Sequence, residues 1–96
     1  MYMLVQRGCI CFIPFEIGGL QRHGVLLAKE HKDAVRAAKF YGKKSRVCPA
    51  LIGTVHGESI DSVVRYAESE KRDICLLVGW QGKFPVVIPF VCVGEK

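Results

Sequence analysis

The sequence predicts an α/β (α+β) domain: a single two-layer sandwich, with a mixed sheet of about five strands, two amphipathic helices mainly on one face and a C-terminal β-hairpin. Three observations predict it. Two long apolar runs, residues 74–80 and 84–93, are rich in Val, Ile and Phe and are separated by Gln81-Gly82-Lys83, which is the pattern of a hairpin. Two other stretches repeat their apolar residues at helical spacing. Shorter apolar segments bounded by glycine account for most of the remaining chain.

Residues 2–17 read as two short strands or one bent strand, with Gly8 as an interruption and Gly18-Gly19 as the end. Residues 18–24 then read as a polar, glycine-containing loop before a strand over 25–28. The first helix is expected from Lys29 or Glu30 to Tyr41, with Ala34, Ala37, Ala38 and Tyr41 turned to the core and Gly42 as a left-handed stop. Residues 47–55 form the next strand, and Pro49 and Gly53 mark it as an edge or a bulged one. A second helix over 59–70 buries Ile60, Val63, Val64 and Ala67, with Ser59 as N-cap and Asp61 in the first turn. With the strand that follows, it makes a β-α-β unit of parallel, right-handed geometry.

In the hairpin, Gly82 supplies the positive φ of the turn. Pro85 and Pro89 share a parity and lack N–H groups, so the second strand belongs at the sheet border with its proline edge outward. Both parities of that strand are apolar. One face therefore needs cover beyond the helices, either from more chain or from a second copy in a homodimer.

Half of the 96 residues are hydrophobic, enough for one globular domain spanning 1–96 and too many for a disordered chain. No apolar run reaches membrane-spanning length, and the N-terminus lacks the basic and apolar regions of a signal peptide, so an intracellular, cytoplasmic protein without membrane attachment is expected. The five cysteines, Cys9, Cys11, Cys48, Cys75 and Cys92, lie in or beside apolar segments and read as reduced, buried thiols. The net charge of +5 invites an anionic partner.

That charge is concentrated. Lys29, Lys32, Arg36, Lys39 and Lys43 recur at spacings of three and four along one side of the first helix, continued by Lys44 and Arg46. Like charges at this spacing cost roughly a few tenths of a kcal/mol per pair, so a stripe with little compensation points to a use. Phosphate contact suits it. Base readout does not, because the chain has no Asn, and nucleic-acid binding would be backbone-directed and weakly sequence-specific. Trp80 and Lys83, beside the hairpin turn, form a second candidate surface: an aromatic anchor next to a cation.

Catalytic chemistry is less well marked. His56-Gly57-Glu58 matches the first half of the zinc-dependent nucleobase deaminase signature, but Trp80-Gln81-Gly82-Lys83 stands where the cysteine pair should be. No cysteine or histidine spacing specifies a metal site, no phosphate-binding glycine motif is present, and no catalytic residue or cofactor is assigned. The leading expectation is a small non-enzymatic binding protein, of regulator or inhibitor type, docking on a protein or nucleoprotein through the basic helix face. Two alternatives stand beside it: a sequence-tolerant nucleic-acid binder using the same stripe, and a small enzyme or nucleotide-binding protein using the 18–24 loop with Arg22, His23 and His56.

Overall fold

The computed structural model describes residues 1–42, 46–51 and 60–91. Along them run β1 (Tyr2–Gln6), β2 (Cys9–Ile10), β3 (Phe12–Ile17), β4 (Leu20–Ala28), α1 (His31–Tyr41), β5 (Val47–Leu51), α2 (Ile60–Ser69), β6 (Asp73–Gln81) and β7 (Phe84–Val91). The fold is α+β, a mixed sheet with two helices and a C-terminal hairpin. Seven strands build the sheet where about five were expected.

The extra strands come from two tight turns. Arg7 and Gly8 have φ of 54° and 79°, and Gly18 and Gly19 have φ of 55° and 83°, the left-handed pairs that close two-residue hairpins. The first joins Gln6 to Cys9 and the second joins Ile17 to Leu20. β2 and β3 therefore make one bent strand that leaves β1 at Cys11, whose N–H donates to the Leu4 carbonyl at 2.9 Å, and continues along β4. The stretch expected as a loop over 18–24 is this turn followed by strand. Its polar residues follow from pairing: Leu20 to His23 have β3 on one side, whereas the parallel ladder to β6 starts only at Gly24.

The remaining order is β5, β1, β4, β6, β7, with β5 and β7 at the borders. β5 lies antiparallel to β1, and β6 pairs in parallel with β4, so β5 and β6 point the same way with β1 and β4 between them. The β-α-β unit expected from 47 to 79 thus skips two strands instead of joining neighbours. Its strand ends at Leu51 among the described residues; the proposed N-cap Ser59 and the His56-Gly57-Glu58 triplet lie outside them.

The helices do not share a face. Ala34, Ala37 and Ala38 of α1 pack with Leu4, Leu26, Ala28, Cys75 and Leu77, whereas Val63 and Ala67 of α2 pack with Met3, Val25, Leu27 and Ile74. Neighbouring residues of a strand point to opposite sides, so these are two cores on the two faces of one sheet. The expected two-layer sandwich is corrected to helix, sheet and helix. Crossover handedness explains it: the β4–α1–β5 connection moves one way along the sheet and β5–α2–β6 moves back, and right-handed crossovers running in opposite directions land on opposite faces.

Two close approaches hold the layers. Gly42 ends α1 with φ of −103°, not the left-handed value expected, and its N–H donates to the Ala38 carbonyl at 2.8 Å. Glycine is needed there for space, since a Cβ would lie 2.8 Å from the Val47 side chain. Between β4 and β6, Arg22 holds Asp73, which is 1% exposed, through Nη2 donation to Oδ1 at 3.1 Å and an ion pair from Nε to Oδ2.

Candidate functional site

α1 buries its alanine stripe, and its helical spacing therefore leaves Lys32, Arg36 and Lys39 exposed along the outer side, with Lys29 exposed just before it. Arg46 is exposed before β5; Lys43 and Lys44 lie outside the described residues. Lys32 meets Glu30 at 3.6 Å, with both side chains largely in solvent, so this pair neutralises little of the stripe.

The hairpin tip completes the surface. The β6–β7 register shifts between Leu77 and Gly79, and the extra residue Val78 is a bulge of the kind that bends and re-aims a strand. Beyond it the tip lies against α1. Trp80 Nε1 donates to Asp33 Oδ1 at 3.3 Å, the Arg36 guanidinium sits 4.0 Å from the centre of the Trp80 ring, and Arg36 Nη2 donates to the Gly82 carbonyl at 2.8 Å. Phe84 meets Phe40 edge to face, with ring centres 6.0 Å apart. Gly82 has φ of 64°, as the turn requires, and Lys83 beside it is exposed.

The helix stripe and the hairpin tip, two separate candidates in the sequence, are therefore one surface. Arg36 is its hinge point, a cation of the stripe fixed by the aromatic anchor of the tip. Sequence reading missed Asp33 as the acceptor for Trp80 and missed the Phe40–Phe84 contact. Nothing in separations of 47 and 44 residues announces either, although the pairing of an aromatic tip with a basic stripe was a usable signal.

The second surface feature is apolar. Val78, Val86, Ile88 and Phe90 are 38–52% exposed on the border hairpin, the uncovered area that the two-sided apolar pattern of 84–93 predicts. Phe84, at 65%, extends exposed apolar surface toward α1.

Elsewhere the chemistry is quiet. Arg22, part of the proposed glycine-loop site, is directed to Asp73, and His23 is exposed on β4. Cys75 is buried, and burial pushes its thiol up to about 12; the half-buried Tyr41 hydroxyl is pushed up to about 12 by the same cause, and Cys11 is also raised by burial. Cys9 and Cys48 are exposed, which corrects the expectation that all the cysteines are buried: both sit on outlying strands, β2 and β5. The four cysteines among the described residues are free thiols, and Cys92 lies outside them. Among the described residues, no three His, Cys, Asp or Glu side chains gather into a metal-binding group, and no helix is long and apolar enough to cross a membrane. No protein-family model, curated protein or solved structure matches the chain.

Proposed function

We propose that this chain is a small non-enzymatic binding protein, of the regulator or inhibitor type, that docks on a protein or nucleoprotein partner with an acidic surface. The docking face is the outer side of α1 with the β6–β7 tip: Lys29, Lys32, Arg36 and Lys39, with Trp80 and Lys83. The observation that carries the reading is the clamping of Arg36 by Trp80 and the Gly82 carbonyl. An arginine fixed before binding loses less side-chain freedom on docking, and arginine beside tryptophan is the composition in which interface energy concentrates. Exposed aromatic surface at Phe84 beside the cations suits a protein partner better than phosphate alone.

The exposed lysines also keep direct, sequence-tolerant nucleic-acid binding as a second reading, and salt separates the two. Anisotropy of a labelled 20-base-pair duplex and of an acidic peptide, each titrated from low to physiological salt, is the test. Protein docking predicts that the peptide binds and that Trp80→Ala weakens it. A duplex bound tightly, with a log-linear salt slope that is insensitive to Trp80→Ala, would replace the reading with phosphate binding.

The same proposal gives the uncovered apolar face to a second copy of the chain. Beside it, α2 and the turn after it expose Asp61, Glu68 and Glu70 against Arg65, Lys71 and Arg72, a balanced set that a two-fold-related copy can meet without net repulsion. The prolines of β7 disfavour edge pairing, which leaves face-to-face contact. A dimer by sedimentation equilibrium that Ile88→Lys converts to monomer is expected; a monomer at all concentrations would remove this part.

A further inference from the structure

We propose that the groove at the C-terminal end of α1 binds a quaternary ammonium group carried on a small molecule. The groove is an open depression of about 480 Å³, and Phe15, Phe40, Tyr41 and Phe84 line it together with Glu16 and Gln21. Its rings are set at right angles. Phe40 and Tyr41 have centres 4.9 Å apart with planes at 87°, and Phe40 and Phe84 have centres 6.0 Å apart with planes at 78°. Orthogonal rings present faces and edges around one space, and ring faces carry the negative part of the aromatic quadrupole.

Three features select a cation over an anion or a neutral guest. The only charged side chain lining the groove, among the described residues, is the carboxylate of Glu16, although the whole chain carries +5. The groove opens at the C-terminal end of α1, the end at which the helix dipole places its partial negative charge. The walls offer aromatic faces, which suit a cation that is weakly hydrated and has no N–H to satisfy. A compact ammonium or a metal ion is strongly hydrated and gains little from such walls, which offer one carboxylate and few other oxygen donors. The site shares Phe84 with the proposed docking face, whereas Glu16 and Tyr41 lie outside that face, so the Glu16→Gln arm of the test separates failure of this assignment from failure of the docking reading.

The test uses the full chain with choline as probe and 3,3-dimethylbutanol as its neutral isostere. Choline is expected to shift the ring resonances of Phe40, Tyr41 and Phe84 saturably and to bind roughly tenfold more tightly than the alcohol. Phe84→Ala should weaken choline several-fold. Glu16→Gln, an exposed and conservative change, should do the same while leaving the unfolding temperature in place. The absence of a saturable shift, equal binding of the alcohol, or unchanged affinity in the Glu16→Gln protein would each overturn the assignment. A trimethyllysine peptide that binds more tightly than choline would overturn the small-molecule occupant.

Discussion

Replacing Gly24 with alanine tests the joint on which both cores rest. Gly24 stands in β4 opposite Ile13 of β3 and Asp73 of β6, at the first rung of the parallel ladder. A Cβ there would lie 2.8 Å from the Asp73 carbonyl carbon and 2.9 Å from a ring carbon of Phe15, which is itself 7% exposed. Neither neighbour is the loose end of a flexible chain, so β4 and β6 must separate, and the Arg22–Asp73 pair must shift with them. Overpacking of this kind costs about 1–3 kcal/mol, and backbone on one side with a buried ring on the other places this case near the top of that range. For a domain of this length, each kcal/mol moves the unfolding midpoint by about 4–8 °C, so a fall of roughly 10–20 °C is expected. Thermal unfolding followed by circular dichroism measures it. Gly79→Ala is the control, because a Cβ there meets nothing within 4 Å; it should be neutral or stabilise by about 0.4–1 kcal/mol. Equal midpoints for Gly24→Ala and the parent would refute the close approach of β4 to β6.

Asp73→Asn leaves Arg22 facing a neutral group in a largely dry site and should cost about 3 kcal/mol in urea unfolding, at the lower end for a broken buried pair because the Arg22 side chain is 18% exposed. The double change Arg22→Met with Asp73→Leu should cost less than the single changes added together. Burial holds the Cys75 thiol and the Tyr41 hydroxyl protonated up to about 12. The unfolded chain releases those protons from about 8.5 and about 10, so it binds fewer protons than the native state across that window and stability falls as pH rises through it. Unfolding free energies that stay flat between pH 8 and 11 would contradict this. Thiol labelling of the native protein should modify Cys9 and Cys48 quickly and spare Cys75 until it unfolds, read by mass spectrometry of the digested protein. Arg36→Ala should shift Trp80 emission to the red and raise its quenching by iodide, because the guanidinium covers the ring at 4.0 Å.

Local pattern made much of the fold legible. The alanine stripe of α1, the buried Val63 and Ala67 of α2 and the border position of β7 follow from spacing or from a missing N–H, which a single segment carries in itself. Ile60, expected in the α2 stripe, is instead 37% exposed at the helix start. What failed needed knowledge of neighbours. The polar stretch 20–23 looks like loop because polarity usually marks solvent, yet here it is strand paired on one side only. The faces of the helices depend on strand order, which no segment encodes. Cys9 and Cys48 are apolar in pattern but exposed, on the short strand β2 and the border strand β5, positions that depend on strand order. At the candidate site, the cations and Trp80 could be named from the sequence, whereas their union depends on a bulge at Val78 that only the β6–β7 register reveals.

The central claim is that α1 and the hairpin tip form one protein-docking face. The most direct measurement is capture of the tagged chain from its native cells after nuclease treatment, beside a Lys29→Glu, Lys32→Glu, Lys39→Glu variant and a Trp80→Ala variant whose folds are verified by circular dichroism. A specific protein retained by the parent, and lost from both variants, is the predicted result. Recovery of nucleic acid alone, removed by nuclease, or a partner held equally by the parent and the charge-reversed variant, would contradict it.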